Sequence, residues 1–296
     1  MAAVWKLLWN TQLIWLSAVG EAFMGRHNEN IGHQARKRFG QNFLHDQGVI
    51  DRIVRSINPK SDQNLVEIGP GLGALTEELL KSGGSVTAVE LDRDLTPILR
   101  TKFFNYPQFN VIEADALKFD FTQLATPERP MRLIGNLPYN ISTPLIFHLL
   151  TFRGLVQDMY FMLQKEVVDR LAAKPGEDAY GRLGVMAQYY CKVESLFNVG
   201  PGAFQPAPKV WSAIVRLTPY TEPPLACKDV ATLTTVVRQA FAMRRKTLRN
   251  TLKQLITVDA LQSLDIDPQI RPERLGLPEF VRIADYVYDH PLENES

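Results

Sequence analysis

The chain has 296 residues, 45% of them hydrophobic and 9% aromatic, with 33 Lys and Arg against 32 Asp and Glu. This excludes a disordered chain, which pairs low hydrophobicity with high net charge, and it excludes collagen-like and coiled-coil compositions. Two cysteines, Cys191 and Cys227, build no disulfide framework and no Cys-x-x-Cys metal motif, so a reducing compartment, the cytoplasm, and no metal site are expected.

Three of the four tryptophans, Trp5, Trp9 and Trp15, lie in the first fifteen residues. The apolar run from Leu7 to Val19 contains Asn10, Thr11 and Gln12 and falls short of the roughly twenty apolar residues that span a bilayer. Lys6 before it and small residues after it give a loose likeness to a signal peptide. Nothing downstream looks secreted, so residues 1–31 are read as an extension outside the fold, with Met24 an alternative start, and no membrane association is expected.

A helix is expected over Val49–Ile57. From residue 64 short β-branched runs alternate with longer helical stretches. The expected strands are Asn64–Gly69, Ser85–Glu90, Phe109–Asp115, Met131–Leu137, Val156–Leu163, Val193–Val199 and Trp211–Leu217. Strands alternating with helices imply βαβ units and a mainly parallel sheet, an α/β fold. Between the last two strands, Gly200–Lys209 holds Pro201, Gly202, Pro206 and Pro208 and leaves no room for a crossover helix, so those strands are expected as an antiparallel pair. Thr218–Pro224 reads as a linker. Beyond it Val230–Phe241, Arg245–Ile256, Asp259–Leu264 and Pro278–Tyr288 read as helices of a small all-helical domain.

The loop Glu67-Ile68-Gly69-Pro70-Gly71-Leu72-Gly73 follows the first sheet strand and opens a helix. Its glycines allow a tight turn and close approach of a ligand. Glu90 ends the next strand, where a carboxylate accepts hydrogen bonds from both ribose hydroxyls, and Asp115 ends the third, placed for an adenine amine. The glycines fall at alternate positions, without the G-x-G-x-x-G spacing that binds pyrophosphate. That pattern fits a nucleoside ligand lacking pyrophosphate, such as S-adenosylmethionine. The competing reading is an ordinary strand–helix turn with two surface carboxylates.

The fourth strand ends Gly135-Asn136-Leu137-Pro138-Tyr139-Asn140. An adenine amine is a poor nucleophile because its lone pair is delocalised into the ring. Asn136 Oδ1 and the Leu137 carbonyl can accept its two N–H groups and hold the nitrogen in line with a methyl donor. Pro138 leaves no competing N–H, and Tyr139 can stack on the base.

These residues, with Arg38-Phe39-Gly40-Gln41-Asn42-Phe43-Leu44, Asn140-Ile141-Ser142 and Phe204-Gln205-Pro206-Ala207-Pro208-Lys209-Val210, give the chain a close resemblance to the rRNA adenine N6,N6-dimethyltransferases, over about residues 32 to 290. The resemblance implies a Rossmann-like class I methyltransferase fold with a seven-stranded sheet over residues 32–220. It also implies a helical C-terminal domain, residues 225–296, that contributes to rRNA binding. Carried over by match, the cofactor contacts are Asn42, Leu44, Gly69, Glu90, Asp115 and Asn136. The implied substrate is a pair of adjacent adenines in the 3′-terminal hairpin loop of small-subunit rRNA, methylated in the immature small subunit, by a monomer. On this reading Gln41–Leu44 is a lid over the cofactor. Phe204, on a proline-rich loop expected at the surface, faces Tyr139 across a flipped base, against the competing reading of core packing. The rivals are a large-subunit rRNA methyltransferase, a DNA adenine methyltransferase, and an assembly factor whose methyl transfer is dispensable.

Charge is uneven. From Val230 to Val258 there is no Asp or Glu, while Arg244, Arg245, Lys246, Arg249 and Lys253 cluster with Arg238. On a helix from Arg245, Leu248, Leu252 and Leu255 share one face and Lys246, Arg249 and Lys253 another. Arg36-Lys37-Arg38 form a second cluster. Two basic clusters in a chain of net charge +1 point to an RNA-binding surface, although a basic run alone is often only a solvated face.

Overall fold

A computed structural model describes residues 42–243 and 245–292. The expected extension, residues 1–31, and the basic residues Arg36, Lys37, Arg38 and Arg244 lie outside the described residues.

In chain order the strands are Phe43–Leu44 (β1), Asn64–Ile68 (β2), Ser85–Glu90 (β3), Phe109–Glu113 (β4), Met131–Asn136 (β5), Val156–Gln164 (β6), Cys191–Val199 (β7), Phe204–Gln205 (β8) and Ser212–Pro219 (β9). The α-helices are Gln47–Ile57 (α1), Ala74–Leu80 (α2), Leu95–Lys102 (α3), Ser142–Leu150 (α4), Lys165–Ala172 (α5), Arg182–Tyr190 (α6), Val230–Ala240 (α7), Leu248–Thr251 (α8), Val258–Ser263 (α9) and Leu277–Asp289 (α10). The seven expected strands form one sheet in the order β4-β3-β2-β5-β6-β9-β7, while β1 and β8 make a separate two-stranded ladder. Among the described residues no helix is long and apolar enough to cross a membrane.

The described chain falls into two compact units, residues 42–163 with 199–212, and residues 164–198 with 213–292. In the first, β2 is buried at every position and pairs in parallel with β3 on one side and β5 on the other. Strands buried on both faces read as continuous apolar runs, as Leu65, Val66, Leu133 and Ile134 do here. At Gly135 a β-carbon would sit 2.6 Å from the Ile68 carbonyl oxygen, so only glycine lets β5 lie this close to β2 just before Asn136.

Charge is also buried in this sheet. Arg132 on β5 lies opposite Asp158 on β6, and its guanidinium donates to both carboxylate oxygens, Nε to Oδ1 at 2.8 Å and Nη2 to Oδ2 at 2.9 Å. Nη1 donates to Gln63 Oε1 at 2.8 Å, and the group lies over the Tyr160 ring. A buried charge is tolerated only when paired and hydrogen-bonded in this way.

In the second unit α7 and α10 pack against each other, with Phe241 and Phe280 rings 5.7 Å apart. Asp229 caps α7 by accepting the Thr232 N–H at 2.7 Å, and Lys228 pairs with Asp289 at the end of α10. The helix expected over Arg245–Ile256 is a single turn, Leu248–Thr251, followed by turns. The cause is competition for its first donors: the Leu248 N–H goes to the Ile270 carbonyl and the Arg249 N–H to the Pro268 carbonyl, at 2.9 and 3.0 Å. A helix running back to Arg245 needs those donors for residues 244 and 245. Leu248 and Leu252 are buried as expected, while Arg245, Lys246, Arg249 and Lys253 are exposed but share no helix face.

Replacing Asp158 with Ala leaves the Arg132 guanidinium buried and short of its main partner. Urea unfolding of the Asp158→Ala variant should show a loss of about 3 kcal/mol, the lower end expected for breaking a buried ion pair. An unshifted midpoint would mean that the pair contributes nothing.

Candidate active site

The chain leaves β2 to build β3 and β4 on one side, then returns to build β5 on the other. Ligands of open α/β sheets bind outside the carboxyl ends of the strands where the order reverses in this way. There β2 runs into the glycine loop, β3 ends at Glu90, β4 leads to Asp115 and β5 ends at Asn136. Gly69, Gly71 and Gly73 all take positive φ, at 66°, 59° and 76°, which is why the alternate positions are glycine. A β-carbon on Gly71 would lie 3.0 Å from Cδ1 of Phe43, so the lid ring rests on the loop. From α3, Lys102 donates to the Leu72 carbonyl at 3.3 Å and pairs with Glu77 at 3.1 Å, bracing the loop from outside.

Three carboxylates stand at or near these strand ends. Glu90 is buried; Oε2 accepts the Gly71 N–H at 3.3 Å and Oε1 the Asp92 N–H at 2.8 Å, which fixes the group and leaves each oxygen a further lone pair. Burial raises its pKa above the ordinary carboxylate value, with the Asp92 charge adding to the rise and the backbone donors of Asp92, Gly71 and Leu91 opposing it. Asp115 Oδ1 accepts the Leu117 N–H at 3.0 Å. Glu67, 3% exposed, accepts from the Thr76 hydroxyl at 2.5 Å. Burial pushes its pKa up to about 7, with the nearby Glu90 charge adding to the rise and the Thr76 bond and Lys102 opposing it.

At the turn after β5 the Leu137 N–H donates to the Met162 carbonyl at 3.2 Å and the Ile141 N–H to the Pro138 carbonyl at 3.2 Å. Asn136 Nδ2 donates to the Asn42 carbonyl at 3.0 Å. This bond fixes which end of the amide is which: the nitrogen is tied to the lid, and Oδ1 is the end left to accept. Tyr139 is held at both ends, its hydroxyl 3.2 Å from Ser212 Oγ and its carbonyl accepting from Ser142 Oγ at 3.2 Å.

β1 pairs antiparallel with β8, Phe43 opposite Gln205 and Leu44 opposite Phe204, and the His45 N–H donates to the Ala203 carbonyl at 3.0 Å. Asn42, Leu44, Asn136 and the proline-rich loop are thus gathered together, with Gly69 beside Asn136, as a β-carbon there would lie 4.0 Å from its carbonyl oxygen. Phe204 is in the ladder and 2% exposed, so its expected surface position is corrected: strand pairing draws it inward. Sequence reasoning missed Thr76, Ser212 and the role of Phe43. Thr76 and Ser212 carry no signal of their own; Phe43 lies inside the lid motif but is marked there only by resemblance. The exposed Arg245, Lys246, Arg249 and Lys253 belong to the second compact unit.

The raised pKa of Glu67 makes stability depend on pH. The folded chain holds this proton more tightly than the unfolded chain, so ionisation costs folding free energy. Below its ordinary value of 4.5 the group is protonated in both states and the cost is absent; the cost grows up to about pH 7 and is constant above. Against a Glu67→Gln variant, the wild-type chain should therefore lose about 2–3 kcal/mol between pH 4.5 and 7 in chemical denaturation. Parallel curves for the two chains would place the proton elsewhere.

The profile of the ribosomal RNA adenine dimethylase family matches residues 32–288. The chain is 67% identical over 258 residues to the ribosomal RNA small subunit methyltransferase A of Marinobacter nauticus, covering 87% of this chain and 93% of the relative. It is 60% identical to the Pseudomonas putida protein of the same name, covering 88% and 98%. Among solved structures, a dimethyladenosine transferase from Plasmodium falciparum superposes with a TM-score of 0.71 at 28% identity, over 81% of this chain and 95% of that one. The 23S rRNA methyltransferase ErmE superposes at 0.66 and 26% identity, over 83% and 100%. With the expected residue patterns at the strand ends and a family match over nearly its whole length, the chain belongs to the ribosomal RNA adenine dimethylase family.

Proposed function

We propose that the chain transfers methyl groups from S-adenosylmethionine to the N6 amines of two adjacent adenines in the 3′-terminal hairpin loop of small-subunit (16S) rRNA, giving N6,N6-dimethyladenosines during small-subunit assembly. The observation that carries this reading is the Asn136 amide, its nitrogen committed to the Asn42 carbonyl and its oxygen left as an acceptor at the end of β5. The family match supports rRNA adenine dimethylation. The names of the relatives at 67% and 60% identity favour the small subunit over the large one, whose named structural relative is 26% identical.

The residues at the strand ends suit this cofactor. The site is bordered by carboxylates, which match hydroxyls, an amine and positive charge and would repel a pyrophosphate. Glu90 would take the ribose hydroxyls, Asp115 the adenine amine, and Asn42, Leu44 and Gly69 would contact it through the lid and loop. When bound, the cofactor supplies a methyl group on a positively charged sulfur, the reactive electrophile.

The chain's own work is to present the amine. Asn136 Oδ1 and the Leu137 carbonyl accept its two N–H groups, and Pro138 offers no competing donor. This holds the nitrogen in place and favours build-up of its lone pair toward the methyl group. The Tyr139 ring takes the face of the flipped base. Phe204 would face Tyr139 across the flipped base. After the first transfer only one N–H remains, so Asn136 and Leu137 cannot both be satisfied, and the second transfer depends more on stacking. RNA is gripped by Arg245, Lys246, Arg249 and Lys253, with Arg244 and the Arg36-Lys37-Arg38 cluster joining them in the proposal; the C-terminal helical residues 225–296 contribute this surface. The chain acts as a monomer in the cytoplasm on the immature subunit.

A methylation assay on immature small subunits, large subunits and DNA tests the reading; preferential methylation of either alternative overturns it. In that assay Asn136→Ala should lose kcat by about 10²-fold or more while RNA still binds. Tyr139→Phe should stay substantially active, since it gives up one neutral hydrogen bond worth about 1 kcal/mol. Tyr139→Ala should raise the ratio of monomethyl to dimethyl adenine seen by mass spectrometry, and an unchanged ratio would remove stacking from the second step.

Replacing Arg245 and Arg249 together with Ala should lower the slope of log affinity against log salt by about 1.5, without altering cofactor affinity. An unaltered slope would mean these side chains do not meet phosphate.

A further inference from the structure

The proline-rich loop carries one residue that the reaction above does not use. Trp211 is the only tryptophan among the described residues, and it is 54% exposed. A side chain of this size normally buries most of its surface and dominates the contacts it makes. The benzene end of the Trp211 indole rests against the backbone at Gly200, where a β-carbon would lie 3.6 Å from Cη2 and 3.7 Å from Cζ3. Immediately after it, Ser212 is buried and bonded to the Tyr139 hydroxyl, so the exposed ring is one residue along the chain from a side chain that touches the turn after β5. Lys209 and Val210, just before it, are exposed as well. A flat aromatic surface with a cation beside it matches a single-stranded nucleic acid, whose every base offers a face to stack and a phosphate to neutralise.

We propose that Trp211 stacks on an unpaired RNA base flanking the adenine presented at Asn136, with Lys209 meeting the adjoining phosphate. This rests on the reading of the chain as an rRNA adenine methyltransferase and adds to it a residue that selects for unpaired loop nucleotides. Its chemistry is that of recognition: no bond is made or broken at Trp211. A paired base keeps its faces covered by its neighbours in the helix, so the indole discriminates loop from duplex without reading sequence.

Two measurements test it. In the first, tryptophan fluorescence is followed while wild type and Trp211→Phe are titrated with an RNA hairpin carrying adjacent adenines in its loop, and with a fully paired RNA duplex. The Trp211→Phe signal accounts for Trp5, Trp9 and Trp15. The Trp211 component should be quenched by the hairpin and not by the duplex. In the second, Trp211→Ala should raise KM for immature small subunits about tenfold with kcat little changed, and Trp211→Phe should restore most of the loss. Cofactor affinity, measured by calorimetry, should be the same in all three, which reports an intact fold. Equal quenching by hairpin and duplex, or an unchanged KM in Trp211→Ala, overturns the proposal. If the hairpin quenches Trp211 but wild type methylates no rRNA, the stacking proposal stands and the functional reading fails.

Discussion

The hydrogen bond from Asn136 to the Asn42 carbonyl is the contact on which the rest of the site depends. It joins the end of a central strand to a segment that precedes the sheet. An unattached asparagine amide can turn over and present either its donor or its acceptor end. Committing the nitrogen to a backbone carbonyl removes that freedom before any substrate arrives, and preorganisation of this kind is the usual source of electrostatic catalysis. Gly135 makes the bond possible by letting β5 lie against β2, and the ring of Phe43 on Gly71 brings the same lid to the glycine loop. The glycine loop, the turn after β5 and β1 are therefore positioned as one piece.

Most of this was legible in the sequence, for a physical reason. The seven sheet strands are short apolar runs bounded by Gly, Pro and Asp, and in the central strands β2, β5 and β6 burial on both faces leaves that signature strongly written. Strand ends carried the polar residues, because ligands of such sheets gather there. What could not be read were features fixed by distant partners. A two-residue strand such as β1 has no periodicity to detect, and its partner β8 is remote in sequence. The basic stretch after Arg245 has good helical spacing, yet the carbonyls of Pro268 and Ile270 take the donors that spacing would have used. The same ladder draws Phe204 inward, although proline-rich loops usually lie at the surface.

The formal charge of +1 hides a division of labour. Carboxylates border the glycine loop, where Glu67 and Glu90 are buried and the Glu90 charge adds to the proton affinity of Glu67. A site of that kind holds an excess of negative potential in a low dielectric, a favourable setting for a small cationic ligand and a hostile one for a polyphosphate. The stretch from Val230 to Val258, without a single acidic residue, has the opposite character. Separate segments of the chain thus carry opposite charge, and the whole-chain total reports neither.

The β1–β8 ladder also sets an order of events at birth. Its two strands are roughly 160 residues apart, so closing it costs loop entropy and waits for the later strand to exist. A nascent chain grows from its amino end. Residues 42–44 leave the ribosome early, and for most of synthesis they have nothing to pair with. The strands that carry Glu67, Glu90 and Asn136 emerge next, so the glycine loop and the turn after β5 exist for a time without the ladder. Only when Phe204 and Gln205 are free can the lid be fastened. The growing polypeptide therefore passes through a stage with the glycine loop and the turn after β5 made and β1 still unpaired, and the ladder arrives late, as a single closing stitch.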